Sequence, residues 1–511
     1  MDGPEYSGAV VHRIAVEAPD RPALVGDGGA CTYRALADRV NQASRALVAR
    51  AEPAAARPPG VALLCANRAE FVEVIYACEQ AGLCLTPINW HLGPDEIRYI
   101  LEDCEASVFI ADARFAEVAA NVAATAEPAH RLAVGGAIDG FESYDRALDE
   151  QPSEPLPDPT LGTRMFYTSG TTGRPKGVVR ELIPGTAEGL AALARMRGGE
   201  HVALVTGPLY HAAPLAINLQ PPISAGCAVV LAERFDAEDT LRLIDAHKVS
   251  HVHMVPTMFH RLLALPADVR ERYDVSSLRY VVHGAAPCPV HVKQAMIDWL
   301  GPIVHEYYAA TEGGSVSISA AEWLEKPGSV GKPVAQAVEI RDADGRACGP
   351  DEVGTVFFER PDAGSFEYFK DPDKTATTYD GSGRWFTLGD QGYLDADGYL
   401  FLTGRTAEVI ISGGVNIYPA EVDAVLLMHD AVADAAVVGV PHDEWGEEVK
   451  AVVELKAGHD PSDGLAEDLM AFCRDRLAHF KCPRSVDFVG ELPRSPAGKV
   501  LRTRVRDGYR T

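Results

Sequence analysis

Between two apolar runs, Met165-Phe166 and Val178-Val179, five hydroxyl side chains, three glycines and two cations fall within eleven residues. The stretch reads Tyr167-Thr168-Ser169-Gly170-Thr171-Thr172-Gly173-Arg174-Pro175-Lys176-Gly177. The apolar runs on either side make it a loop joining two strands. Glycines let the backbone turn tightly and bring its N–H groups close to an anion. The hydroxyls add donors, and Arg174 and Lys176 neutralise charge. The composition is that of a polyphosphate cradle. A Walker-type loop requires Gly-Lys followed by Ser or Thr, whereas here Pro175 precedes Lys176 and Gly177 follows it. No Gly-x-Gly-x-x-Gly opens a βαβ unit near the N-terminus either.

The rest of the chain alternates in the way such a loop requires. Tyr33 to Ala49 has helical periodicity, Gly60 to Cys65 is a buried strand, and Glu70 to Ala81 is again helical. A short strand around Leu83 to Pro87, a helix opened by Pro94-Asp95-Glu96 and a strand from Ser107 to Ala111 complete a first βα set in residues 1–160. A second set, about His201 to Tyr308, has strands at His201 to Thr206, Ala228 to Ala232, His251 to Val255 and Leu278 to His283. Beyond Gly328 come short strands with turns, as at Gly354 to Glu359 and Tyr393 to Phe401, the pattern of a small barrel. A boundary is expected at Gly404-Arg405, dividing residues 1–404 from a compact α+β unit, 405–511. At 511 residues the chain exceeds one ordinary core.

Composition narrows the partners. A formal net charge of −26 opposes general nucleic-acid binding and leaves anionic ligands to local cationic sites. One is the C-terminal stretch with Arg494, Lys499, Arg502, Arg504, Arg506 and Arg510. No window has the roughly 20 apolar residues of a membrane-spanning helix, and the N-terminus lacks signal-peptide regions. Ten cysteines without a CxxC pair suggest reduced thiols in a cytoplasm.

Three further tracts carry chemistry. In His305-Glu306-Tyr307-Tyr308-Ala309-Ala310-Thr311-Glu312-Gly313, Thr311 and Glu312 offer the hard oxygen ligands Mg²⁺ favours beside phosphates, and the tyrosines offer rings to stack on adenine or an organic acid. Asp390, in Trp385 to Asp390, can accept from two ribose hydroxyls. Leu492-Pro493-Arg494-Ser495-Pro496-Ala497-Gly498-Lys499 places a lysine near the C-terminus. Together with the loop, in this order, these tracts resemble the motifs of the adenylate-forming superfamily: acyl- and aryl-CoA synthetases, luciferases and peptide-synthetase adenylation domains.

The resemblance runs from the Tyr33 helix to Arg502. It implies a large N-terminal domain of two αβ-layered subdomains and a small β-barrel, with a small mobile α+β lid. It implies activation of a carboxylic acid by Mg·ATP to acyl-adenylate and pyrophosphate, then transfer to coenzyme A once the lid has turned. By similarity Thr168, Ser169, Gly170, Thr171, Thr172, Gly173 and Lys176 hold phosphate; Glu312 binds Mg²⁺ and Thr311 contacts phosphate. Glu306, Tyr307 and Tyr308 border the nucleotide, Asp390 and Arg405 take the ribose, and Lys499 is the catalytic lysine. A cation there can cap the charge that develops as the carboxylate attacks the α-phosphate.

Two stretches border the acid. Tyr210 and His211 follow a strand, with His211 at the position of the family's aromatic or histidine gate. His283-Gly284-Ala285-Ala286 ends another strand in a turn of small residues that a flat ring or acyl chain can approach. No cation in these stretches awaits a second carboxylate, which favours an apolar monoacid. In the Thr311-Glu312 motif Ala309 stands where glycine is usual. The other departures fall on the acceptor side: Ala407 where Asp or Lys is common, and Val415 where CoA ligases often have glutamate. In Phe480-Lys481-Cys482-Pro483-Arg484, a segment that contacts the CoA nucleotide in some relatives, Lys481 and Arg484 keep the cations while Cys482 offers none. Three readings follow: a CoA ligase, an adenylating enzyme with an amine or carrier-protein phosphopantetheine as acceptor, and an inactive homologue that only binds. The acid's identity and the oligomeric state, a homo-oligomer included, stay open.

Overall fold

In the computed structural model, Thr163–Thr168 and Lys176–Arg180 form an antiparallel pair in which Thr168 lies opposite Lys176. This is the strand–loop–strand arrangement read from the sequence. The structure describes residues 7–26, 29–52, 58–126, 128–168, 175–334, 336–361, 365–405, 408–412, 415–442, 445–494 and 500–509. Ser169, Gly170, Thr171, Thr172, Gly173, Ala407 and Lys499 lie outside the described residues.

The pair belongs to an eight-stranded sheet, ordered Phe366–Tyr368, Lys176–Arg180, Thr163–Thr168, Cys84–Pro87, Gly60–Leu64, Ala106–Asp112, His130–Val134, Glu142–Ser143. A second sheet, of nine strands, runs Lys332–Pro333, Ser315–Ile318, Val304–Ala309, Tyr280–His283, His251–Met254, Val202–Val205, Ala228–Leu231, Pro22–Gly26, Gly29–Thr32. Both are largely parallel with helices against their faces, as βα alternation demands. The barrel-like unit is a five-stranded antiparallel sheet, Val338–Arg341, Gly354–Glu359, Asp390–Leu394 and Leu400–Arg405, with Trp385–Phe386 paired to Gly354–Glu359. A fourth sheet holds Val415–Ile417, Ile410–Ser412, Gly446–Leu455, Val432–His442 and Ser485–Val489.

Local chemistry sets the element ends. Thr32 caps the helix Tyr33–Val48, its hydroxyl accepting from the Ala35 amide. Pro94 opens Pro94–Asp103, and the Glu96 carboxylate reaches back to the Gly93 amide. The elements read from the sequence are present with ends shifted by about two residues or less.

The assignment of residues 1–160 to one βα set needs correction. Pro22–Gly26 and Gly29–Thr32 leave that set and add to the second sheet, Leu24 pairing with Val229. The Tyr33 hydroxyl donates to the carbonyls of Cys227 and Ile223, tying the first helix to the same region. In exchange, the phosphate-loop strands and Phe366–Tyr368 extend the first sheet. One apolar core, including Tyr33, Leu36, Val61, Val205 and Val229, therefore spans both layers. The fourth sheet has cores of its own around Ile410, Val449 and Leu469 and around Val438, Leu492 and Val505.

Candidate active site

A cavity of about 1760 Å³ lies along the second sheet and reaches the base of the phosphate loop. It exceeds the roughly 300–1,000 Å³ of common small-molecule sites. Thr168, His211, Ala285, Glu306, Tyr307, Thr311, Glu312 and Arg405, all expected at the site, line it.

At its phosphate-loop end, Lys176 Nζ lies 2.8 Å from Asp371 Oδ2. Asp371 also caps the helix Pro372–Thr378, accepting from the Lys374 amide. Beside it, the Tyr368 hydroxyl donates to Glu312 Oε1 at 2.9 Å, and Lys176 Nζ stands 6.0 Å from the same ring's centre. A cation and a carboxylate thus flank one phenol. Gly314, at φ +72°, carries the turn after Glu312 where a Cβ would meet the Phe358 ring at 2.8 Å. Among the described residues no group of three His, Cys, Asp or Glu could hold a metal ion by itself. Glu312 still fits Mg²⁺, which commonly takes one or two carboxylates and completes its shell with phosphate oxygens and water.

Asp390 is nearly buried, with both oxygens engaged. Arg405 Nε donates to Oδ1 at 2.9 Å and the Tyr308 hydroxyl to Oδ2 at 2.5 Å. Burial and the Asp390 charge hold the Tyr308 phenol well above its ordinary range. Asp390 and Arg405 face each other as register partners of one hairpin. Tyr308 therefore serves the carboxylate and packs its ring on Phe358, 5.8 Å centre to centre.

The turn after Tyr280–His283 is built for close approach. A Cβ on Gly284 would lie 2.5 Å from the Tyr307 carbonyl oxygen and 2.6 Å from its ring, so the tyrosine lies against bare backbone. Ala285 takes φ +66°, a strained value for a residue with a side chain. The Tyr307 hydroxyl is 3.0 Å from His253 Nε2. Glu306 accepts from Lys293 at 2.7 Å and has the fully buried His283 3.5 Å away, so its charge is satisfied beneath the cavity wall. Burial and the nearby Lys293 ammonium push His283 well below the usual imidazole range.

The opposite wall begins at His211, while Tyr210, expected beside it, is buried in the core and does not line the cavity. Pro214–Leu219 forms a π-helix closed by a bond from the Gln220 amide to the Leu215 carbonyl. Pro221 and Pro222 have no N–H to continue an α-helical ladder, which accounts for the wider turn. His211 Nε2 and the Tyr210 hydroxyl are buried without a partner among the described residues. Burial pushes the His211 imidazole down to about 4, leaving it neutral at ordinary pH.

Lys481 and Arg484 are not brought to the cavity. Lys481 is paired with Glu421 at 2.7 Å, and the Arg484 guanidinium lies over the Trp445 ring at 4.8 Å, both within the fourth sheet's unit. Sequence reading missed Tyr368 and Asp371, although Asp371-Pro372 is a legible helix start. It also missed the imidazoles of the sheet face, whose signal was the alternation His251-x-His253.

A family profile described as AMP-binding enzyme matches residues 11–365, and one described as AMP-binding enzyme C-terminal domain matches 421–499. The chain is 35% identical over 508 residues to a feruloyl-CoA synthase of Amycolatopsis sp, covering 97% of each. It is 33% identical over 513 residues to the fatty acid–[acyl-carrier-protein] ligase ScoC of Streptomyces coeruleorubidus, covering 97% of this chain and 95% of that one. The amide bond synthetase McbA from Marinactinospora thermotolerans superposes with a TM-score of 0.83 at 28% identity, covering 99% of this chain and 100% of its own. With Thr168 of the phosphate-loop hairpin, Glu312 and Arg405 lining one cavity, and both profiles matched in order, the chain belongs to the AMP-binding, adenylate-forming enzyme family.

Proposed function

We propose that the residues around the cavity divide the work of an AMP-forming acid–thiol ligase. The reaction is ATP- and Mg²⁺-dependent activation of a carboxylic acid to acyl-adenylate, releasing pyrophosphate, followed by thioester formation with coenzyme A. Thr168, Lys176 and the loop between them receive the phosphates, Lys176 exchanging Asp371 for phosphate oxygens. Glu312, positioned by Tyr368, is the protein's ligand to Mg²⁺, which neutralises charge on the phosphates, and Thr311 donates to a phosphate oxygen. Asp390, oriented by Arg405 and Tyr308, accepts from the ribose. Gly284 to Ala286 and Tyr307 border adenine and acid, and neutral His211 stands between the acid and the incoming thiol. The unit beyond Arg405 is the lid, and Lys499 is the catalytic lysine it delivers.

The observation that carries this reading is that Thr168, Thr311, Glu312 and Arg405 line one cavity, with Arg405 bonded to Asp390 and Glu312 bonded to the Tyr368 hydroxyl beside Lys176. The second acceptor, an amine or carrier-protein phosphopantetheine, has one observation in its favour: Lys481, a cation expected for the CoA nucleotide, is committed to Glu421. Mass spectrometry after incubation with Mg·ATP, coenzyme A and a panel of carboxylic acids separates the two. AMP with a new acyl-CoA mass is expected. AMP with retained acyl-adenylate and no CoA adduct moves the acceptor to amines and carriers.

A further inference from the structure

A parallel sheet covered on both faces normally carries aliphatic residues on each. The second sheet breaks this rule on one side. Strand alternation puts His251 and His253, then Tyr280 and Val282, then His305 and Tyr307 on a common face, with His251 beside Tyr280 and His253 beside Val282 in register. All six border the cavity. Five of them are imidazoles or phenols.

These rings form an ordered surface. His251 and Tyr280 stack at 5.9 Å and 25°, and Tyr280 and His305 at 4.4 Å and 20°. Burial pushes the imidazoles of His251, His253 and His305 down to about 4, so these rings are uncharged at neutral pH, with Arg279 and Glu322 also bordering the cavity. Their hydrogen bonds differ in what they leave over. His251 is spent, with Nδ1 2.8 Å from the Ser250 hydroxyl and Nε2 donating to the Ala194 carbonyl at 2.9 Å. His305 Nδ1 accepts from the Ala320 amide at 3.3 Å, so its proton sits on Nε2, which has no partner among the described residues. The Tyr280 hydroxyl likewise has none among them. Two donors on adjacent stacked rings therefore border the cavity unpaired.

Resting on the acid-activating reading above, we propose that the acid is an extended, uncharged aromatic carboxylic acid with a hydrogen-bond acceptor at its far end, gripped by Tyr280 and His305. With Thr311 at a phosphate oxygen, as in the reading above, the reacting carboxylate is placed beside Ala309, and His305 is four residues back along the strand from it. At ~3.3 Å per residue the acceptor lies on the order of 10–13 Å from the carboxylate. The flat body of the acid lies along the stacked rings. An alkyl chain would bury both donors without partners, and sites built to hydrogen-bond a substrate reject analogues that lack the group.

The test compares biphenyl-4-carboxylic acid, its 4′-methoxy derivative and an n-alkanoic acid of similar span. Each is read by pyrophosphate release with Mg·ATP and by calorimetric binding with no nucleotide. The full-length protein should favour the methoxy acid by at least tenfold in both readouts. Tyr280→Phe and His305→Phe, which keep ring and stack but remove a donor, should bring the methoxy acid down towards the unsubstituted one. Equal or better handling of the alkanoic acid, unchanged discrimination in both variants, or binding of none of the three overturns the proposal. Discriminating binding without pyrophosphate release overturns the ligase reading and leaves this one standing. Pyrophosphate release without discrimination does the reverse.

Discussion

Tyr368 sets its hydroxyl on Glu312 and its ring beside Lys176, so the carboxylate proposed for Mg²⁺ and the ammonium proposed for phosphate are held apart by one aromatic side chain. Glu312→Gln keeps the shape and removes the charge. Acyl-adenylate formation should fall by about 10²-fold or more, the scale of losing one electrostatic contact to the transition state, and the Mg²⁺ requirement should rise. Tyr368→Phe leaves the carboxylate in place but less well oriented, and its loss should be smaller, about tenfold. Acid-dependent pyrophosphate exchange across a Mg²⁺ titration measures both; wild-type exchange in Glu312→Gln at saturating Mg²⁺ would remove Glu312 from the machinery. Gly284 gives a second test at this scale. A Cβ there would meet the Tyr307 carbonyl oxygen at 2.5 Å, and backbone cannot swing aside as a side chain can. Gly284→Ala should retain its circular dichroism and lose at least tenfold in kcat/KM for the acid, since small displacements of a reacting group are expensive.

Among the elements, the base of the phosphate loop is anchored through a buried charge. Arg164, in Thr163–Thr168, donates to Gln220 Oε1 at 3.0 Å and pairs with Glu79 of the helix Ala69–Gln80, while Gln220 Nε2 donates to Glu79 at 3.0 Å. Burial pushes the Arg164 guanidinium down to about 10. Glu79→Ala would strand this cation, a change that costs about 3–5 kcal/mol in comparable buried pairs. Chemical denaturation should show it, and Glu79→Ala with Arg164→Met should recover part of the loss; full stability in the single variant would mean the cation is not charged there. The same scale explains what the sequence could reveal. Pro94-Asp95-Glu96 and the alternation of βα units act over a few residues, and both were legible. Tyr368 meets Glu312 across 56 residues and Asp371 meets Lys176 across 195, contacts that no local pattern announces. The exchange of Pro22–Gly26 into the second sheet is of the same kind, a pairing set by packing. Glu306 and Tyr308 were read as nucleotide contacts from their motif. Their side chains are engaged by Lys293 and Asp390, partners visible only once strands and helices are assembled.

For the whole molecule, the imidazoles along the cavity make stability a function of pH. His211, His251, His253 and His305 are pushed down to about 4 by burial, whereas unfolding returns each towards ~6.5. Above pH ~6.5 both states are neutral and these groups contribute no slope. Between ~6.5 and ~4 only the unfolded chain takes up their protons, so stability falls with falling pH through this window. Unfolding midpoints measured across it should drop steeply, and His251→Phe should flatten the slope by close to one proton; an unchanged slope would mean His251 is already protonated when folded. The last prediction concerns the lid. The unit beyond Arg405 has its own apolar cores, so it can turn without dismantling the rest. The described residues on either side of 495–499 are bonded within this unit. Arg494 pairs with Asp434 at 2.5 Å, and Arg502 pairs with Asp423 at 2.6 Å and Glu408 at 3.2 Å. Arg494 and Val500 also bridge as β partners, and the Leu501 amide donates to the Pro493 carbonyl at 2.7 Å. On the proposed mechanism, Lys499 serves only the half-reaction in which the lid presents it to the cavity. Lys499→Ala should nearly abolish acyl-adenylate formation while leaving thioester formation from supplied acyl-adenylate largely intact. Single-turnover assays of the two halves decide it: equal loss in both would mean the lysine stays at the site throughout, and the lid does not exchange.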